Sequence, residues 1–117
     1  MLLMLAMACA EPSVVLIQPE DGAVLCGEPL TLEVELSHFE LERPVAGDEE
    51  PTPGVGHIDF SLNGQAMAMI WQATGDIPRV DAGIWLVRAE LVGSDHEPLD
   101  PPAFDEATIE VDPDLCP

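Results

Sequence analysis

A chain of 117 residues provides one domain, and 47% hydrophobic residues are enough to give it a core. Against 23 acidic residues stand Arg43, Arg79 and Arg88 and no lysine, for a formal charge of −20. Such a surface repels phosphate backbones and anionic headgroups, so nucleic acid is excluded as a partner; what remains is a solubilising surface, or one that attracts cations or a basic partner.

Residues 1–8, MLLMLAMA, are all apolar, and nothing charged appears before Glu11. Spanning a bilayer takes about 20 residues, so this run is too short. It holds three Met and no β-branched residue, which argues against a core strand. It looks like the apolar part of a secretory signal, with small residues before the cut. The cut falls at Cys9, and LAMAC resembles the lipobox of bacterial lipoproteins, in which small residues precede a cysteine that is lipidated and becomes the new N-terminus. The basic segment that opens such signals is absent, as expected if the true start lies upstream. The resemblance implies that residues 1–8 are a signal peptide, that Cys9 carries lipid, and that 9–12 form a short tether. It also implies an address in the bacterial cell envelope, on the outer membrane or the periplasmic face; plain secretion is the alternative. More than one acyl chain would hold the protein stably at the membrane.

Strand patterns follow in order. SVVLIQ (13–18) is strand-like, then PEDGA (19–23) and CGEP (26–29) supply turn chemistry. LTLEVELS (30–37) alternates cleanly, with Leu30, Leu32, Val34 and Leu36 inward. RPVAGDEEPTPGVG (43–56) is a long acidic connection. HIDFSL points Ile58, Phe60 and Leu62 inward and ends in Asn-Gly, a tight-hairpin signal, before MAMIWQA (67–73). IWLVRAEL points Trp85, Val87, Ala89 and Leu91 inward. A second long connection, GSDHEPLDPPAFDE (93–106), leads to ATIEVD, with Ala107, Ile109 and Val111 inward. No segment keeps a helical period.

About seven short strands with Pro/Gly punctuation argue for an all-β sandwich over 13–117. IQPEDGAVLCGEPLTLEVEL, GHIDFSLNG and AGIWLVRAELVGSDHEPL followed by ATIEV resemble bacterial immunoglobulin-like domains. The resemblance assigns these pieces to strands A and B, to strand C, and to strands F and G. It supports the fold and not a particular function.

With Cys9 lipidated, Cys26 and Cys116 remain, and a pair in an exported domain reads as a disulfide; two free thiols are the alternative. In an immunoglobulin-like sandwich the second half of strand A runs parallel to strand G, which brings both cysteines to one end. The bridge would be worth up to roughly 4 kcal/mol.

His38 ends strand B, His57 begins strand C, and His96 lies in the F–G loop. In that architecture all three share one end with Asp48, Glu49, Glu50, Asp95, Glu97 and Asp100. Imidazoles with carboxylates can hold Zn²⁺ or Cu²⁺, and oxygens alone Ca²⁺. Yet no metal-binding spacing occurs, and structural or solvent roles are the competing reading. His38 falls on the inward register of its strand, where a hydrogen-bonded core histidine is expected. Ser13, Ser37, Ser61 and Ser94 lack a nucleophile motif, so no enzyme is expected. The expected function is a non-enzymatic, membrane-anchored immunoglobulin-like module with a protein partner at the loop end; the alternative is a periplasmic metal-binding protein using His57, His96 and His38.

Overall fold

The computed structural model describes residues 11–43 and 52–117. Cys9, the signal segment and the acidic run Asp48–Glu50 lie outside the described residues. Nine strand segments follow in chain order: β1 (Ser13–Gln18), β2 (Val24–Leu25), β3 (Leu30–Ser37), β4 (Glu40–Leu41), β5 (Val55–Leu62), β6 (Gln65–Ile70), β7 (Thr74–Ile77), β8 (Gly83–Gly93) and β9 (Phe104–Val111). A 3₁₀ turn over Pro113–Leu115 ends the fold.

The strands form two layers. One is a three-stranded sheet in the order β1-β3-β7; the other is a six-stranded sheet in the order β2-β9-β8-β5-β4, with β6 also paired to β5. Alternation is the cause. Leu30, Leu32 and Val34 of the first sheet are buried against Ile58, Phe60, Leu62, Val87, Ala89, Leu91, Ile109 and Val111 of the second. Each of these Val, Leu, Ile and Phe side chains gains about 1.5–3 kcal/mol from leaving water. This is an immunoglobulin-like β-sandwich, as the alternation and the turn chemistry predict.

Local chemistry explains the joints. Asn63 and Gly64 both adopt positive φ, 51° and 86°, in the two-residue turn between β5 and β6. That is the turn whose twist matches a hairpin. The Asn63 side chain then accepts a hydrogen bond from Leu86 N–H at 2.7 Å, locking the turn to β8. The Asp-Gly turn before β2 works similarly: Asp21 accepts from Thr108 N–H at 2.7 Å, while Gly22 N–H donates to Thr108 C=O. The chain thereby leaves the first sheet after β1 and joins the second at β2.

Three details differ from the sequence expectation. The run 67–73 is a strand only as far as Ile70, because the chain turns at Trp71 to cross to the other sheet as β7. β4 pairs with β5 in parallel, which was not expected, whereas the parallel pairing of β2 with β9 is the one the immunoglobulin-like resemblance implies. Leu36 is half-buried rather than in the core, and His38, expected inside, is exposed with a φ of 56°. The left-handed turn at His38 breaks the alternation one residue too early for it to reach the core.

Candidate functional site

The β3–β4–β5 connection and the β8–β9 loop meet at one pole, which we call the loop pole. Gly56 pairs with Gly93, and His57 with Val92. A Cβ on Gly56 would collide with the Val92 carbonyl, and Phe39 Cζ would lie 2.9 Å from it, so only glycine permits this approach. Beyond Gly93 the chain folds back over the outer face of the six-stranded sheet. Gly93 N–H donates to Glu97 C=O at 2.9 Å, His96 N–H donates to Gly93 C=O at 2.9 Å, and Val92 bridges to Pro98. His96 takes a φ of 66° in this turn.

The fold-back brings His96 edge-on against His57, with ring centroids 4.8 Å apart. His57 points outward from β5, yet it is fully buried. Neither of its ring nitrogens has a hydrogen-bond partner. Asp59, two residues along the same strand face, brings a carboxylate oxygen to 3.4 Å from His57 Nε2. Burial pushes the His57 pKa below its ordinary 6.5; Asp59 pulls it up and His96 pushes it down, and burial prevails. A neutral imidazole therefore sits under the loop at neutral pH.

Two of the three sequence-selected histidines thus come together, and His38 stays apart in the turn after β3. His57, a candidate metal ligand in the sequence, meets the loop imidazole of His96 edge-on. Among the described residues, no group of three or more His, Cys, Asp or Glu side chains is placed to hold one metal ion. Asp95, Glu97 and Asp100 are exposed around a shallow cleft of about 240 Å³ shared with Pro53 and Leu99. The amino-terminal end of the domain arrives at this same pole. Ser13 pairs with Ser37, and Pro12 lines a cleft with Leu99 and Pro101.

The opposite pole holds the bridge. Cys26 and Cys116 are joined, with Cα atoms 4.9 Å apart across a separation of 90 residues. The parallel pairing of Val24 with Glu110 and Leu25 with Val111 delivers them there, as the immunoglobulin-like resemblance implies. Asp112 caps the terminal 3₁₀ turn by accepting from Asp114 N–H.

Between the poles, Arg88 lies over the Phe104 ring at 3.6 Å and between Glu106 at 3.0 Å and Glu90 at 3.4 Å. Its charge is thereby used within the sheet. On the outward side of β6, Met67, Met69 and, just beyond, Trp71 are exposed, within the sixteen-residue run 60–75, which contains no Asp, Glu, Lys or Arg.

No family model matches the chain, and no curated protein does. Among solved structures, it is similar to the fibronectin(III)-like modules of Clostridium thermocellum CbhA, at 16% identity and a TM-score of 0.53, over 86% of this chain and 96% of that one. It is also similar to an engineered protein, at 13% identity and a TM-score of 0.55; the match covers 88% of this chain and 20% of that one. These likenesses establish the fold: fibronectin type III-like, within the immunoglobulin-like class.

Proposed function

We propose that this chain is a bacterial lipoprotein: a non-enzymatic immunoglobulin-like module of the cell envelope, held at a membrane by lipid on Cys9. The observation that carries the reading is the Cys26–Cys116 bridge. It uses two of the chain's three cysteines, suits an oxidising compartment, and leaves Cys9 as the one thiol free for attachment. The domain begins at Ser13, so four residues form the tether, a reach of about 13 Å when extended. Because the tether joins at the loop pole, that pole faces the membrane. A protein partner at the β8–β9 loop therefore has to fit in the membrane-proximal gap, while the disulfide pole and the sides of the sandwich stand free.

Expression in a bacterium, detergent phase partition and intact mass test this reading. The expected product starts at Cys9, carries acyl mass and partitions into detergent, and Cys9→Ser shifts it to the aqueous phase. A mature chain with an unmodified Cys9 in the aqueous phase refutes it.

A second reading, a periplasmic metal-binding protein, is favoured by one observation: buried His57 with both nitrogens unpartnered, beside His96 and Asp59. Dialysis against Zn²⁺, Cu²⁺ and Ca²⁺ followed by elemental analysis tests it. Retained metal that His57→Leu abolishes supports this reading, and none retained at micromolar metal removes it.

A further inference from the structure

Polar side chains that a fold buries normally find a hydrogen-bond partner, and each exception asks for a reason. Among the described residues His57 is the one buried polar side chain, and both of its ring nitrogens are without a partner. The turn that covers it is held shut by three hydrogen bonds. Gly93 N–H donates to Glu97 C=O, His96 N–H donates to Gly93 C=O, and Glu97 N–H donates to the Asp95 carboxylate at 3.1 Å. That turn sets the His96 ring edge-on to His57, with centroids 4.8 Å apart, while His96 itself stays exposed to solvent.

Two further side chains belong to this face. Asp59 lies two residues along β5, with a carboxylate oxygen 3.4 Å from His57 Nε2. A carboxylate in that place fixes the tautomer of a ligating imidazole: Nε2 carries the proton, and Nδ1 is left to bind. Met69 of β6 pairs with Asp59, before the register shift that falls between Phe60 and Ser61. It therefore stands diagonally across the sheet from His57, a separation that a long side chain spans. Its thioether is a soft donor, unlike any carboxylate around it.

We propose that His57 and His96, together with the Met69 thioether, bind one monovalent copper ion. The proposal rests on the metal-binding reading above, narrows it to a single ion, and is independent of the lipid anchor. Coordination number selects the ion. A structural Zn²⁺ takes four donors and Ca²⁺ takes six or more oxygens. Among the described residues, no three His, Cys, Asp or Glu side chains are placed to share an ion. Monovalent copper is satisfied by a pair of imidazoles, and thioether sulfur favours it over harder ions. Two imidazoles that share an ion at about 2 Å each hold their ligating nitrogens no more than about 4 Å apart. Rings with centroids 4.8 Å apart meet that limit with a small swing of the exposed His96. The ion arrives from solvent at His96, and the Asp59 carboxylate offsets the single positive charge brought under the loop.

Titration of the full chain carrying Cys9→Ser, so that no free thiol competes for the metal, tests the proposal. Copper is kept monovalent with ascorbate under nitrogen, and bicinchoninate serves as the competing chelator. The expected result is one copper ion per chain, with Zn²⁺ bound about a hundredfold more weakly or not at all. His57→Leu and His96→Asn should each weaken copper binding about a hundredfold or more. Asparagine accepts the φ of 66° at position 96, so that variant keeps the turn. Met69→Leu should weaken binding about tenfold and remove the sulfur donor from the X-ray absorption spectrum of bound copper. Unchanged near-ultraviolet circular dichroism of the metal-free variants shows that folding is intact. Zn²⁺ bound as tightly as copper, or copper indifferent to Met69→Leu, overturns the proposal and leaves the broader metal-binding reading standing. Binding of neither metal removes both. Copper indifferent to His57→Leu and His96→Asn sits elsewhere, such as on the methionines of residues 1–8, and overturns the proposal as well.

Discussion

The two poles of the sandwich are built on opposite principles. At the disulfide pole every device closes something. The bridge joins β2 to the segment after β9, Asp112 caps the last turn, and Val80 N–H donates to the Gly27 carbonyl at 2.9 Å. At the loop pole the chain holds features that cost free energy. His38 and His96 sit at positive φ, and a buried imidazole has no hydrogen-bond partner. A buried polar group left unpaired costs about 1–3 kcal/mol. Closing contacts are therefore concentrated at one end of this domain, and strained or unpaired groups at the other. If the chain is tethered as proposed, the less settled end is the one nearest the membrane.

Cutting the bridge should have the largest effect on this contrast. Cys116→Ser releases a 90-residue separation and should lower stability by about 2–5 kcal/mol, read as a fall in the urea midpoint. A change below about 0.5 kcal/mol would mean that the β2–β9 pairing alone secures that pole. Next is the side-to-side tie. Asp105→Ala leaves Leu16 N–H without its acceptor and should cost about 1–3 kcal/mol. Hydrogen exchange should show β1 opening before β3, since β1 is the edge of its sheet. If β1 stays as protected as β3 in this variant, Asp105 is not what closes that edge.

How much of this was legible in the sequence depends on which force shaped each part. The alternation in Leu30–Val34 and in Val87–Leu91 reports burial directly, because each inward side chain has its own transfer free energy. Asn63-Gly64 was equally plain, since few other pairs adopt that turn. The pairing of Cys26 with Cys116 needed the architecture as well as the spacing. His38 was expected inside and is exposed, and nothing in the pattern marked His57 as buried, for one reason: alternation says which side of a strand a residue occupies, not what covers that side or where the strand ends. His57 is on the outer side, but the β8–β9 loop covers it; His38 is on the inner register, but a left-handed turn ends the strand first. Loop paths depend on contacts such as Gly56 against Val92, between residues far apart in the chain, and no local pattern carries them.

The smallest effect at neutral pH, and the sharpest test of the loop pole, concerns His57. Its pKa in the folded state is depressed below the ordinary 6.5 by burial and by His96. Above 6.5 the imidazole is neutral in both folded and unfolded chains, so it contributes no pH dependence. As pH falls through 6.5, the unfolded chain takes up the proton first and the folded state loses ground. The loss grows until the depressed folded value is reached, and then levels off. A single stability curve carries every pH-dependent contribution of the chain, and the difference between wild type and His57→Leu isolates that of His57. At pH 7.5 that difference should stay within about 1 kcal/mol, because a leucine replaces an unpaired polar group in an apolar setting. Below pH 6.5 the difference should shift steadily in favour of the leucine variant. His96→Gln removes only the neighbour that disfavours the His57 proton, so it should shrink that shift and keep its sign. A difference curve that stays flat from pH 7.5 to pH 5 would mean that His57 reaches water or a partner in solution, and that the loop pole is no less settled than its opposite.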